Sequence, residues 1–571
     1  PTFRTLFCIF GQLNFANMEK RYSSKDFSHL GLVAGMCDKL GIVEIADKLL
    51  PIKSSQQLVS NGICIKSFIL MGLGFVERRL YLMSNFFQDK PIEHLLGSGI
   101  SHELLNDDRL GRCLDAIYEY GTSALFEQLS SHACSQLGLA CEARFLHIDS
   151  TSFHTDGQYA DCCDENGSEK GCILVTEGYS RDHRPDLKQV MLNLVVEHKA
   201  SIPVYMEALS GNTSDKGSFR KMINQYTKAL KPDSSPVCWV ADSALYTEET
   251  LQLISDKVYW ITRVPETLKE SKDMIASVNV ADMHSFEDKQ LSTYRYTNVC
   301  STYAGVKQHW MVIFSQQAYD REMISLRKKY AKESLAECKH FDQLCKQVYD
   351  CEADAGKALW ALEKQLRYVG IQNSEIRPVM GYKKAGRPSP NQTAHLLGYQ
   401  IQGNLCCCID TYEKMCANKG KFVLASNEIG GLFSDIEKLL EYKNQNKVEK
   451  GFRFLKDRQF MAATLFVKKT QRLEAILMIM TLCLMVYAAL EYELRTKLKE
   501  QQQTVPNQSK KQINNPTMRW IFALFRGIHC LSVEPEQPFR VINVNEVQQK
   551  IILLLGTTFI KYYQMEQTGA P

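Results

Sequence analysis

Three acidic residues, far apart along the chain, have the types and surroundings that divalent-metal chemistry needs. Asp149 lies in the stretch FLHIDSTSF, Asp242 in VCWVADSAL and Glu449 in the charged stretch YKNQNKVEKGFRFLK. Converging carboxylate oxygens suit Mg²⁺ or Mn²⁺, which prefer carboxylate and water over imidazole or thiolate. Two such ions, about 3.5 to 4 Å apart, can activate an attacking water or hydroxyl and stabilise the leaving oxygen of a phosphodiester.

Each of the three acids also has an ordinary structural explanation. An aspartate at the end of a strand often caps the following turn, and Asp149 and Asp242 are both predicted at strand ends. Charged residues around Glu449 are also typical of a solvated helix face. These alternatives stay open for each residue taken alone. A metal site becomes the better hypothesis when all three positions agree.

The stretch around Glu449 predicts an amphipathic helix. Its start is indicated by Ser434, with Glu437 three residues later, which is the spacing of a capping box. At about 100° per residue, one face of the helix collects polar side chains. These are Tyr442, Gln445, Glu449, Arg453 and Lys456. The neighbouring face carries Val448, Phe452 and Leu455 and should pack on a core, which places Glu449 at the boundary.

Two local groups of cations could neutralise phosphates. The first runs from Glu449 to Arg472 and contains Lys450, Arg453, Lys456, Arg458, Lys468, Lys469 and Arg472. The second precedes a predicted strand and contains Arg181, His183, Arg184 and Lys188. Such groups also occur as solvated faces, so DNA contact and solvation are both open interpretations.

Composition limits the class of protein. The chain has 571 residues, 45% of them hydrophobic, and a net charge of only +4 from 68 basic and 64 acidic residues. Nucleic-acid affinity must therefore come from local patches rather than overall charge. The 20 cysteines have no CxxC pair, so a zinc site is not indicated and a reduced, cytoplasmic protein is expected.

From Arg144 the hydrophobic pattern changes to the alternation of strands. Five strands are predicted: FLHIDSTSF, Gln189–Glu197, Ile202–Ser210, Val237–Leu245 and Lys257–Val264. The first three should pair as antiparallel neighbours. Helices at Lys216–Ala229 and Thr247–Ser255 precede the fourth and fifth strands. This order predicts an α/β fold, an RNase-H-like mixed sheet flanked by helices, in which the strands of Asp149 and Asp242 lie side by side.

The remaining segments complete the predicted organisation. A stretch with helical periodicity predicts an all-α N-terminal domain, whose short helices fit either a helix-turn-helix DNA reader, with Asp107 or Asp108 as N-cap, or a plain helical domain. A large insertion with a charged helical hairpin should separate the fifth strand from the Glu449 helix. Its loop Lys383–Pro390 contains Gly-Arg-Pro, which is found in minor-groove binders but equally fits a solvated linker. The predicted boundaries are 18–142, 143–265, 266–420, 421–500 and 501–571.

The most apolar run, Ala475–Leu490, is shorter than the roughly 18 to 20 residues that cross a bilayer, so we expect a buried core helix and no membrane contact. Asn543–Tyr563 predicts a last helix in a C-terminal helical tail. The first methionine is Met18, and we expect residues 1–17 not to belong to the native protein.

The Glu449 helix resembles the Y-(2)-R-(3)-E-(6)-K signature of the DDE transposases of bacterial insertion sequences. Tyr442, Glu449 and Lys456 match at the required spacings. HIDST and VADSALY resemble the two aspartate blocks of that family, and Gly178–Val190 and Gly211–Asp215 resemble the 1634-like branch of its insertion-sequence-4 superfamily. The resemblance covers roughly residues 18–532.

The resemblance implies a metal-dependent transposase that cuts the ends of its own element and joins them to target DNA. Asp149, Asp242 and Glu449 would then be the catalytic residues and the ligands of two Mg²⁺ or Mn²⁺ ions. Tyr442 and Lys456 would contact phosphates at the transposon end, and the protein would act as a homodimer on paired ends of double-stranded DNA near the bacterial nucleoid. The signature arginine is replaced by Gln445, which has no charge and no guanidinium fork, although Arg453 could compensate.

Two alternatives to a transposase stay open. A related RNase-H-fold nuclease would cut DNA without strand transfer, and a repurposed or inactive transposase-derived protein would only bind it. The three acids argue against simple decay of the site, whereas Gln445 favours it.

Overall fold

In the computed structural model, the described residues are 21–52, 58–75, 82–139, 145–155, 172–178, 184, 186–213, 217, 219, 222–223, 237–255, 257–382, 393–457, 469–534 and 537–565. The chain divides into two compact units. The core unit comprises Pro1–Trp260 and Leu440–Pro571, and the insertion unit comprises Ile261–Leu439. The segment predicted as a separate N-terminal domain, residues 18–142, thus shares a unit with the strands of Asp149 and Asp242.

The N-terminal part of the core unit consists mainly of helices. They bury apolar side chains in one cluster that includes Phe68, Leu114 and Phe126. The N-cap of the Asp107–Tyr120 helix is Asn106, whose side chain accepts the amide hydrogen of Arg109 at 3.0 Å. The predicted cap, Asp107 or Asp108, was therefore wrong by one or two positions. The elements are β1 (Arg21–Asp26), α1 (Leu30–Lys39), α2 (Ile42–Leu49), α3 (Asn61–Leu73), α4 (Met83–Phe87), α5 (Ile92–Leu96), α6 (Asp107–Tyr120) and α7 (Thr122–Gln136).

A mixed sheet follows in the core unit. Its elements are β2 (Phe145–Thr155), β3 (Lys188–Glu197), β4 (Pro203–Ser210), β5 (Cys238–Ala241) and the helix α8 (Glu248–Ile254). As predicted, β3 pairs antiparallel with both β2 and β4, and β2 pairs parallel with β5. Nearly every residue of β2 is buried, because helices cover the sheet, among them α7 on β4. The helix predicted at Lys216–Ala229 lies mostly outside the described residues.

The insertion unit begins within the predicted fifth strand. Its elements are β6 (Tyr259–Arg263), which begins at the boundary, α9 (Lys269–Ser277), β7 (His284–Ser285), β8 (Tyr294–Tyr303), β9 (Val306–Ser315), α10 (Gln316–Lys346), α11 (Glu352–Glu363), β10 (Val369–Gly381), β11 (His395–Cys407), α12 (Ile409–Ala417) and β12 (Lys421–Ser426). β12 pairs antiparallel with β6 and with β9, and β8 pairs with β9. The unpredicted β10 and β11 form a separate antiparallel ribbon, and the loop Lys383–Pro390 lies outside the described residues.

The chain then returns to the core unit. The elements are α13 (Asp435–Asn444), which crosses the boundary, α14 (Asn446–Leu455), α15 (Thr470–Glu500), β13 (Val505–Pro506), β14 (Gln512–Ile513), α16 (Met518–Leu524), β15 (His529–Glu534), β16 (Gln537–Ile542), α17 (Glu546–Leu555) and α18 (Thr557–Tyr562). The predicted helical tail therefore also contains strands, and β15 pairs antiparallel with β1. The N-terminal region is not all-α for the same reason: its first strand has a partner at the other end of the chain. The single last helix is two helices, separated by Gly556 at φ +98.

The helix α15 is the centre of the apolar core. It is long and apolar enough to cross a membrane, yet 89% of its most apolar 18-residue stretch is buried inside the protein. It packs against α1, α3, α6 and α7. The prediction of a buried core helix at Ala475–Leu490 is confirmed, and the observed helix is longer than the predicted one at both ends.

Candidate active site

The register of two parallel strands brings Asp149 and Asp242 together. Along β2 and β5, Phe145 pairs with Cys238 and His147 with Val240. The same register, continued along both strands, sets Asp149 beside Asp242, with both side chains on the same face of the sheet. Asp149 was predicted at a strand end but lies in the middle of β2, because β2 continues to Thr155 in its pairing with β3. Only β5 ends at this point, directly before Asp242.

Both aspartates make short local hydrogen bonds. Oδ1 of Asp149 accepts the amide hydrogen of Ser150 at 2.8 Å, and Oδ1 of Asp242 accepts that of Ala244 at 2.9 Å. Asp242 therefore does cap the turn that follows β5. This cap does not compete with metal binding, because a carboxylate has two oxygens and about four acceptor sites.

The helix that carries Glu449 is shorter than predicted. The capping box is present: the amide of Glu437 donates to the hydroxyl of Ser434 at 3.2 Å, and the amide of Ser434 donates to the carboxylate of Glu437 at 2.9 Å. The predicted continuous helix, however, is broken at Gln445 into α13 and α14. Tyr442 and Glu449 thus lie on different helices, and Gln445 is buried at the break with 8% of its surface exposed.

Apolar packing holds α14 against the sheet and against α15. Val448, Phe452 and Leu455 are buried in the core, as the helical pattern predicted. Gly451 permits a close approach to α15, since a Cβ at this position would lie 3.1 Å from Cδ2 of Leu484. Glu449 lies on the exposed side of α14.

These elements enclose one open cavity of about 670 Å³, entirely within the core unit. The three acids predicted as catalytic line it, together with four of the predicted phosphate-contacting residues. The lining consists of Asp149, Ser150, Thr151, Asp242, Tyr442, Gln445, Glu449, Phe452, Arg453, Lys456 and Asp457. The cavity therefore joins carboxylates to cations and hydroxyls, which is the composition that a metal-dependent phosphodiester site needs.

Three of the other predicted DNA-binding residues are described by the structure, and none of these three lines the cavity. Lys450 is exposed on α14 but does not line it. Arg184 forms an exposed ion pair with Asp186 at 2.8 Å, and Lys188 pairs with Thr155 at the far end of β2. Arg181 and Arg458 lie outside the described residues.

Sequence reasoning missed two pairs of residues around the cavity. The buried His147 contacts Glu441 through its Nε2, 3.1 Å from Oε2. Asp457, which lines the cavity, accepts a hydrogen bond from Arg519 at 2.7 Å. HIDST does place a histidine two residues before Asp149, and hence on the same strand face, but its partner lies nearly 300 positions later.

The donor chemistry of the cavity fits Mg²⁺ or Mn²⁺. Its described lining contains carboxylates but no imidazole or thiol, which disfavours zinc. Across the described residues, no group of three His, Cys, Asp or Glu side chains is close enough to hold one ion. Mg²⁺ does not require such a group, because it is commonly held by one or two carboxylates together with water and substrate phosphates.

Residues 22–131 match the family model of a domain of unknown function, DUF4277. No curated protein matches the chain. Among solved structures, the chain is similar to the piggyBac transposase in a cryo-EM structure of its synaptic complex with hairpin DNA, with a TM-score of 0.35 and 10% identity over 89% of this chain and 82% of that chain. A likeness at this score does not establish a shared function.

Proposed function

We propose that this chain is a DDE transposase, an enzyme that cuts DNA at the ends of a mobile element and joins those ends to target DNA. The observation that supports this most is the cavity in which Asp149, Asp242 and Glu449 meet phosphate-directed side chains. Two of the acids are paired by strand register and the third is supplied by a helix. The order of β4, β3, β2 and β5, with antiparallel pairs followed by a parallel one, supports the RNase-H-like interpretation of the sheet.

Asp149, Asp242 and Glu449 would hold two Mg²⁺ or Mn²⁺ ions, with Asp149 as the central ligand. Bound ions would supply activation of the attacking oxygen and charge stabilisation of the leaving oxygen. Water would attack in the cleavage step and a DNA 3′-hydroxyl in the joining step. The low exposure of Asp149, 8%, would keep its carboxylate in one orientation.

The polar side chains around the acids would position the DNA backbone. Arg453 lies on the helix of Glu449 and Lys456 directly follows that helix. Both line the same cavity, so they can hold a phosphate beside the carboxylates. Tyr442 would add a hydroxyl donor from the other side of the helix break. Gln445 occupies the signature arginine position but is buried there, so Arg453 would be the guanidinium of this site.

The proposed partners follow from this activity. The substrate would be double-stranded DNA, both the element's ends and the target, and two copies of the chain would hold paired ends. The compartment would be the cytoplasm, at the nucleoid. The second candidate is a protein that binds DNA without cutting it, which the buried, uncharged Gln445 favours.

The test uses linear DNA carrying the sequences that flank the reading frame, a supercoiled target plasmid and MgCl₂. We expect wild-type protein to cut at the flanks and to produce joined products. Asp149→Asn should lower cleavage by about 10³-fold or more and leave the DNA dissociation constant within about twofold, because it removes a metal ligand and no phosphate contact. Asp273→Asn, an exposed aspartate on α9, is the matched control.

Each outcome of this assay has one meaning. Undiminished cleavage by Asp149→Asn rejects the metal assignment. Cleavage without joined products favours a nuclease, and binding without cleavage by the wild-type protein favours a DNA-binding protein.

A further inference from the structure

A buried polar contact ties the strand of Asp149 to the helix before the break. His147 lies two residues before Asp149 on the same face of β2 and is 0% exposed. Its Nε2 lies 3.1 Å from Oε2 of Glu441 on α13. A carboxylate can only accept hydrogen bonds, so Nε2 is the protonated nitrogen in this contact.

The carboxylate of Glu441 is held from a second direction. Asn444, the last residue of α13, donates from Nδ2 to Oε1 of Glu441 at 3.3 Å. One carboxylate oxygen therefore faces the strand and the other faces the end of the helix. Both contacts lie in the last turn of α13, which ends one residue before the break at Gln445.

The helix after the break has its own polar anchor. Lys447, in the first turn of α14, donates from Nζ to the backbone carbonyl of His198 at 2.6 Å, just beyond the end of β3. Lys447 is largely buried, and burial lowers its pKa. The two contacts, one on each side of the break, thus connect α13 and α14 to adjacent strands of the same sheet.

We propose that the His147–Glu441 pair is a positioning device that sets the location of Glu449 relative to Asp149. The proposal rests on the proposed function, in which those two acids hold a shared metal site. His147 and Asp149 belong to one strand, and Glu441 is connected to Glu449 through the break at Gln445. The contact between His147 and Glu441 therefore holds Asp149 and Glu449 at a fixed distance from each other. Neither His147 nor Glu441 lines the cavity, so their effect is exerted through Asp149 and Glu449.

A stabilising role alone would predict a different result. A buried polar pair contributes little net stability when both partners are replaced together. Displacement of a reacting group by about 1 Å, in contrast, can cost about 10²-fold in rate. Loss of both partners should therefore affect metal binding and cleavage much more than folding, whereas each single alanine variant also leaves one buried polar group without this hydrogen bond and should lower stability further.

The experiment compares His147→Ala, Glu441→Ala, the double variant and Glu441→Gln. It measures Mn²⁺ affinity by electron paramagnetic resonance, DNA affinity, cleavage rate and thermal unfolding. Glu441→Gln keeps an acceptor for His147 and is the conservative rescue. His154→Gln, on the opposite face of the same strand, is the matched control.

We expect each alanine variant to weaken Mn²⁺ binding by about tenfold and to slow cleavage by about 10²-fold, with DNA affinity within about twofold of wild type. The double variant should be no worse than either single one, since both remove the same contact. Glu441→Gln should stay within about threefold of wild type. Unchanged Mn²⁺ affinity in folded His147→Ala, or losses that match its unfolded fraction, would overturn the proposal. If wild-type protein cuts no DNA, the proposed function fails, while the Mn²⁺ affinities still decide whether this pair positions the acids.

Discussion

The strand acids and the helix acid reach the same cavity by different physical means. Asp149 and Asp242 are placed by backbone hydrogen bonds between β2 and β5. Glu449 is placed by the side chains of α14, which pack on the sheet and on α15. Asp149 is buried whereas Glu449 is exposed. Strand register therefore fixes the positions of Asp149 and Asp242, whereas the position of Glu449 depends on how well α14 packs.

This difference predicts unequal tolerance to change. Backbone register cannot adjust by a fraction of a residue, because a shift of one residue turns every side chain to the other face. A packed helix can move by small amounts when side chains repack. Substitutions that change side-chain length at the two kinds of position should therefore give different losses.

The largest effect is expected from Asp149→Glu compared with Glu449→Asp. The extra methylene moves the carboxylate while the strand register holds the backbone in place, so we expect cleavage to fall by about 10³-fold or more. Glu449→Asp should lose only about 10- to 10²-fold, because α14 can shift toward the strands. The measurement is the single-turnover cleavage rate, with Glu44→Gln, an exposed glutamate on α2, as control. Equal losses of cleavage rate in both variants would contradict the claim that strand register and helix packing place the two acids with different tolerance.

A medium effect is expected from Gly451→Val, which disturbs only the helix. The new side chain would press on Leu484, so we expect the free energy of unfolding to fall by about 1 to 3 kcal/mol. Cleavage should fall by more than this instability explains, because Glu449 is displaced. Gly356→Val on α11, where a Cβ meets Ile376 only at 3.8 Å, is the control. Chemical denaturation and cleavage rates check both statements, and an unchanged rate would show that packing at Gly451 does not place Glu449.

The smallest effect concerns α15, on which α14 rests. Burial raises the pKa of Glu474 to about 7, and its carboxylate accepts the amide hydrogen of Ile173 at 3.0 Å. The folded state then holds this proton more tightly than the unfolded chain does, so stability falls as pH rises from about 4.5 to about 7.

Glu474→Gln keeps the acceptor and removes the charge. It should raise the free energy of unfolding at pH 8 by about 1 to 2 kcal/mol, a discounted value because the group is partly exposed. The gain should shrink at pH 5. Glu500→Gln at the exposed end of α15 should change little. Denaturant midpoints at both pH values test this, and a gain that is independent of pH would contradict the burial argument.

Much of the sheet could be predicted because each strand is marked by the pattern of its own residues. Alternating and apolar runs located β2 to β5, and their order predicted that the strands of Asp149 and Asp242 would be neighbours. Helical spacing grouped Glu449 with Arg453 and Lys456 on one face, and these residues do share the cavity.

The features that escaped prediction depend on distant partners. The break at Gln445 coincides with the contact of Glu441 to His147, and no local breaker residue marks it. β1 pairs with β15 at the opposite end of the chain. It was not predicted, because the residues that follow it have helical periodicity. β10 and β11 were not predicted, and register shifts interrupt the pairing in their ribbon.

The most direct test of the central claim is the location of Mn²⁺ by anomalous diffraction, in crystals of the protein with MnCl₂ and a duplex of the flanking DNA. The predicted result is two peaks beside Asp149, one shared with Asp242 and the other with Glu449, and their loss in Asp149→Asn. Peaks elsewhere only, or Glu449 directed away from both aspartates, would contradict the account.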